Sequence, residues 1–112
     1  MTLSLDKHAD ADVVRVAQPR IDAAAAIQFK DDMRALVARG ADRVILDLRE
    51  VDFVDSSGLG AIIAVMKMLK TPRRMELAGL SPNVDKVFRL TRMDKVFVIH
   101  DDLAAGLDSD AA

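Results

Sequence analysis

The stretch Val44-Ile45-Leu46-Asp47-Leu48-Arg49-Glu50-Val51-Asp52-Phe53-Val54-Asp55-Ser56-Ser57-Gly58-Leu59-Gly60 carries the two signals that decide the fold. Its first part, Val44 to Leu48, is a dense aliphatic run, the pattern of a central strand covered on both sides. A turn-like segment, Glu50 to Asp55, leads into a helix that begins at Ser56 or Ser57 and reaches about Leu69. Thr71-Pro72 stops that helix, because proline lacks the amide that would continue it.

The neighbouring segments follow the same alternation. Upstream, Asp22 stands before an alanine-rich helical run to Arg39, where its side-chain oxygen can accept from first-turn amides. Phe29, Met33, Leu36 and Val37 share one face of that run, with Lys30, Asp31 and Arg34 off it. Gly40 is placed to close the helix in a left-handed conformation. Earlier still, Leu3 to Lys7 and Val13 to Ala17 read as two strands of an edge hairpin, the second ended by Pro19. Downstream, Met75 to Ala78 predicts a short strand. Ser81-Pro82 predicts a helix start, a capping hydroxyl followed by proline at the first position. Val84, Val87, Phe88 and Thr91 continue at helical spacing, and Val96 to Ile99 predicts the last strand. Leu103 and Leu107 then sit one turn apart. The expected architecture is one α/β domain over residues 1–112, a mixed sheet of four to five strands with helices packed against it.

Composition narrows the function. The chain has 112 residues, 16 basic and 18 acidic for a net charge of −2, with 51% apolar types and no Cys, Trp or Tyr. Disulfides, thiolate metal sites and cysteine nucleophiles are thereby excluded. The longest apolar run, Gly58 to Met66, is about half of what a bilayer span needs. No secretory leader is read at residues 1–10. The charge and the scarcity of aromatics argue against nucleic-acid binding. A soluble cytoplasmic domain without membrane insertion is expected.

The mouth of the serine-led helix departs from ordinary packing. Two hydroxyls stand where unpaired amides and the positive end of the helix dipole gather, and one oxygen suffices for a cap. Ser57 reads as that cap or as a neighbouring contact. Gly58 and Gly60 cost the first turns roughly 1 kcal/mol each relative to alanine, so close approach is expected, of a neighbouring strand or of an external molecule. Leu59, Ile62, Ile63, Met66 and Leu69 form the row that should face the core. Ala61, Val65 and Met68 form a second apolar row, either buried against another helix or exposed as a strip beginning beside Ser56.

Val44-Ile45-Leu46-Asp47-Leu48 followed by Asp55-Ser56-Ser57-Gly58-Leu59-Gly60 resembles the STAS domain of bacterial anti-sigma factor antagonists, and the likeness covers nearly the whole chain. The family usually has Gly-x-Leu/Ile-Asp before its first helix; here Pro19-Arg20-Ile21-Asp22 keeps the aspartate and replaces the glycine. The resemblance implies binding to an anti-sigma serine kinase of the histidine-kinase-like ATPase fold. It also implies phosphorylation of Ser56, loss of binding, and restoration by a metal-dependent serine/threonine phosphatase. Asp22 is expected beside the serine loop, as a cap or a positioning group. The expected partner-binding residues are Asp22, Asp55, Ser57, Gly58, Ala61, Val65 and Met68, with no cofactor; a weak homodimer stays open. The alternative is a non-switching STAS docking module of a transport, lipid-trafficking or stressosome-like assembly.

Other chemistries fit less well. A serine hydrolase would need His8 or His100 beside Ser56 or Ser57, and the Gly-x-Ser-x-Gly elbow is missing. His100, Asp101 and Asp102 are chain neighbours, which rarely converge on one metal ion, and a helix cap explains an aspartate there. The phosphate-binding loop of nucleotide-binding proteins is absent, so ATP belongs to the partner. Lys86, Arg89, Arg92 and Lys95 read as a solvated helix side.

Overall fold

In the computed structural model, which describes residues 2–109, the longer strands and helices follow one another in the expected order, and two short strands that were not expected, at Arg20–Ile21 and Phe53–Val54, are added to them. The chain opens with a hairpin, Leu3–Lys7 (β1) and Ala11–Val16 (β2), followed by the two-residue strand Arg20–Ile21 (β3) and helix Ala26–Leu36 (α1). Arg43–Asp47 (β4) and the short strand Phe53–Val54 (β5) precede helix Ser56–Met68 (α2). Arg74–Ala78 (β6), Pro82–Leu90 (α3), a 3-10 turn at Met93–Lys95, Val98–His100 (β7) and Leu103–Asp108 (α4) complete it.

Five strands form one mixed sheet in the order β1-β2-β4-β6-β7. Only β1 runs antiparallel; β2, β4, β6 and β7 pair in parallel. The aliphatic run is the middle strand, and all of Arg43–Asp47 is buried. Alternation along the strands divides the side chains between two faces. Val14, Val16, Val44, Leu46, Leu48, Met75 and Leu77 meet Phe29, Met33, Leu59, Ile62, Val65, Val84 and Phe88 from the helices in the main core. Ala11, Val13, Ile45 and Ala78 form a smaller cluster on the other face, with Leu103 and Leu107 of α4 packed against it.

That second face also carries a buried ionic cluster. Arg43, 6% exposed, donates through Nη2 to Oε1 of Glu76 at 2.7 Å and through Nε to Oε2 at 2.9 Å. Its guanidinium also donates to the carbonyls of Gly106 (2.8 Å) and Ser109 (3.1 Å), tying α4 to the sheet. Nε2 of His100 lies 2.7 Å from Oε1 of Glu76. Burial alone would push the Glu76 carboxyl up, but the hydrogen bonds from Arg43 and His100 outweigh it and hold the group below the usual glutamate range.

Several boundaries move. The first helix begins at Ala26, because Asp22 Oδ1 accepts from Ala25 N (3.2 Å) and closes a turn ahead of the helix. Gly40 has φ +141°, positive but outside the left-handed helical region, and lies beyond the helix end at Val37. A Cβ there would strike the Asp12 carboxylate, which accepts from Ala41 N (3.0 Å). The last strand is Val98–His100, since the 3-10 turn takes up the residues before it. Ser81 caps α3 with Pro82 at its start, and Asp102 caps α4.

Candidate functional site

The mouth of α2 is assembled from two chain segments. Strands β3 and β5 pair in parallel as a separate two-stranded ribbon, Arg20 beside Phe53 and Ile21 beside Val54. The carbonyl of Pro19 accepts from the amides of Asp52 (2.8 Å) and Phe53 (3.2 Å), so the proline in place of the family's glycine still anchors this ribbon. Ile21 and Val54 are buried, which turns Arg20, Asp22, Phe53 and Asp55 to the outer side by strand alternation.

Asp55 is the cap of α2. Its Oδ1 accepts from Gly58 N at 2.8 Å and its Oδ2 from Ala23 N at 3.1 Å, so one carboxylate fixes both the helix start and the neighbouring loop. The serine cap expected at Ser57 is thus corrected: the aspartate takes that work, being a stronger acceptor one residue before the helix. Ser56 and Ser57 both lie in the first turn and are exposed, and neither hydroxyl joins a hydrogen bond among the described residues. Asp22 stands on the adjoining segment, half-buried, accepting from Ala25 N and from Arg20 Nε (3.2 Å). The hydrogen bond from Arg20 holds its carboxyl below the ordinary aspartate range.

The two glycines separate sharply. A Cβ on Gly58 would land inside the carbonyl oxygen of Ile21, so this glycine lets the helix press against β3. Gly60 is exposed, and a Cβ there would meet nothing within 4 Å. Tight packing therefore explains the first and not the second.

Of the two readings of the second apolar row, burial against a helix is the one observed, so Gly58, Ala61 and Val65 are not the surface contacts expected of them. Ala61 and Val65 are 3% and 0% exposed within the main core, Met68 is half-buried against it, and Gly58 is buried. Helices α1 and α2 pack together, and that contact covers the second apolar row. What α2 leaves to solvent is Ser56, Ser57, Gly60 and Lys67, with Ile63, Ala64, Met66 and Met68 half-exposed.

Neither histidine is placed with the serines. His8 is exposed in the β1–β2 turn, at the opposite end of the sheet from the mouth of α2, and His100 belongs to the Glu76 cluster. Asp102 is committed to capping α4 (2.8 Å to Ala105 N). Lys86, Arg89, Arg92 and Lys95 are exposed, and Arg89 pairs with Asp85 at 2.8 Å. No described helix is long and apolar enough to cross a membrane.

Arg20 and Phe53 escaped the sequence reading. The guanidinium carbon of Arg20 sits 4.0 Å from the centre of the Phe53 ring, a cation–π contact beside the serine turn. Each stands on a two-residue strand too short to leave a periodic signal, although an exposed aromatic three residues before Ser56 was open to notice.

Comparison with known proteins agrees with this geometry. The family model for the STAS domain matches residues 2–106. The chain belongs to the STAS domain family. Among its STAS relatives, BtrV of Bordetella bronchiseptica, assigned to the anti-sigma factor antagonists, is 31% identical over 100 residues, covering 88% of this chain and 85% of that protein. The anti-sigma-B factor antagonist of Listeria monocytogenes is 29% identical over 103 residues, covering 88% and 90%. The crystal structure of an anti-sigma factor antagonist from Mycobacterium paratuberculosis superposes with a TM-score of 0.85 at 26% identity, covering 95% of this chain and 90% of the other.

Proposed function

We propose that this STAS domain is an anti-sigma factor antagonist that works by partner switching in the cytoplasm. Its unphosphorylated form binds an anti-sigma serine kinase of the histidine-kinase-like ATPase fold, which then releases its target; phosphorylation of Ser56 ends that binding. The observation that carries the reading is an exposed, uncommitted Ser56 hydroxyl on a helix turn whose backbone Asp55 already holds. The antagonist relatives support the same role.

The chemistry belongs to the partners, and the chain itself is not an enzyme. In the kinase complex Ser56 Oγ attacks the γ-phosphorus of ATP, the bond to ADP breaks, and the hydroxyl proton leaves to a base of the kinase. A metal-dependent serine/threonine phosphatase reverses the modification with water, releasing inorganic phosphate. The phosphoserine adds about −1.5 to −2 charges. Its own domain tolerates it, because first-turn amides and the helix dipole favour an anion. The partner does not, since a dianion must then be desolvated against a surface fitted to a neutral hydroxyl. Nearly complete release takes roughly 5 kcal/mol of differential affinity.

The contact face is Ser56, Ser57, Gly60 and Ala64 with Asp22 and Asp55 at its edge, and Gly60 admits the partner's backbone closely. Ala61 and Val65 act from the core and not by contact. The test is capture from the native cell with wild type, Ser56→Ala and Ser56→Asp as baits. A kinase held by the first two and missing from the third is expected. Equal capture by all three overturns the switch in favour of a passive docking module.

A further inference from the structure

The outer side of the β3–β5 ribbon holds one cation among several carboxylates. Asp22, Asp52 and Asp55 lie within four residues of Ser56 or on the paired strand segment beside it, and Arg20 is the basic residue of that ribbon. Because β3 and β5 run parallel with Arg20 level with Phe53, Asp22 comes level with Asp55, next to Ser56. The guanidinium does not point back toward the start of the strand. It reaches forward, donating through Nε to Oδ2 of Asp22, with its plane resting against Phe53. Its two terminal nitrogens make no hydrogen bond among the described residues, and the side chain is 56% exposed against 26% for Asp22. It is therefore a cation held on Asp22, level with the residue that precedes the serine, with donors to spare.

We infer that Arg20 is the intramolecular counter-ion of a phosphate on Ser56, leaving Asp22 for the phosphoserine dianion and withdrawing from Phe53. A guanidinium pairs with phosphate through two parallel N–H···O bonds, and a dianion outcompetes a single carboxylate for it. The transfer compensates the repulsion that Asp22, Asp52 and Asp55 exert on the phosphate. It also uncovers Phe53, 39% exposed with the cation near it, so modification alters the apolar surface beside the serine as well as its charge. This inference rests on Ser56 being the modified residue.

The experiment uses the full chain with phosphoserine incorporated at position 56 by genetic encoding, so no kinase is needed. The second ionisation of the phosphoserine is followed by 31P NMR in wild type, Arg20→Lys and Arg20→Gln at low salt. A nearby cation favours the dianion, so wild type is expected to titrate lowest. Arg20→Gln should lie roughly half a unit or more higher, and Arg20→Lys between them. In the wild type, the Arg20 Nε–H resonance should shift on phosphorylation, a readout that does not depend on the variants folding. Coincident titrations of wild type and Arg20→Gln, or an unmoved Nε–H resonance, overturn the inference. Failure of cells to phosphorylate Ser56 would instead overturn the switch and leave this titration unchanged.

Discussion

The Arg43–Glu76–His100 cluster and the Asp22–Asp55 mouth of α2 lie on opposite sides of the same sheet and treat charge in opposite ways. Under α4 the groups are buried, and Glu76 at 0% exposure is satisfied by Arg43 and His100 together with the half-buried Arg74, whose Nε donates to Oε2 at 3.2 Å. At the mouth of α2, Asp22 and Asp55 spend their oxygens on backbone amides and on the exposed Arg20, and leave the serine hydroxyls out of the network. A buried pair must be complete, since an orphaned partner costs several kcal/mol. An exposed turn can hold its shape with carboxylates and keep its hydroxyls free for chemistry. The first cluster is built for stability and the second for access.

Removing one member of the buried cluster is the most severe way to probe that contrast. Glu76→Ala should destabilise the domain by roughly 3–5 kcal/mol, read from urea unfolding, because Arg43, Arg74 and His100 lose their shared acceptor. The sign with pH follows from the depressed Glu76 ionisation. Its contribution is complete above the unfolded-state value and fades as pH falls through the folded one, so wild type should show a steeper acid loss than the variant. A variant as stable as wild type would mean that the cluster is ornamental.

The glycines sharpen the comparison within α2 itself. Gly58→Ala should cost about 1–3 kcal/mol, because the new methyl group meets the Ile21 carbonyl. Gly60→Ala should add about 1 kcal/mol of helix stability, since the space around it is open. Thermal or urea unfolding of the pair decides it, and equal effects would contradict the close approach at Gly58. At the cap and the first serine the aspartate and the hydroxyl should separate, with the serine showing the smallest effect of all. Asp55→Ala should cost about 1–2 kcal/mol through the lost cap. Ser56→Ala should stay within about 0.5 kcal/mol of wild type, as expected of an exposed side chain without partners. A large loss at Ser56 would break the distinction between a holding aspartate and a free hydroxyl.

Much of the scaffold was legible because it rests on neighbours in the chain. Ser81-Pro82 starts a helix wherever it stands, and both the capping oxygen and the missing amide are local facts. The run Val44 to Leu48 could only be a covered strand, and β4 lies in the middle of the sheet. The ribbon of β3 and β5 was illegible for the opposite reason. Two residues carry no period, and what makes Arg20–Ile21 a strand is Phe53–Val54 alongside it.

The sequence by itself determined the order of the longer strands and helices and set two serines at the start of a helix, because alternation, helical spacing and proline act over a few residues. Tertiary structure alone decided that Asp55 reaches Ala23, 32 residues away, that Arg43 finds Glu76 across 33, and that α1 covers Ala61 and Val65. Those outcomes depend on which elements become neighbours in space, and the same apolar row or carboxylate serves as core or as surface according to what packs against it.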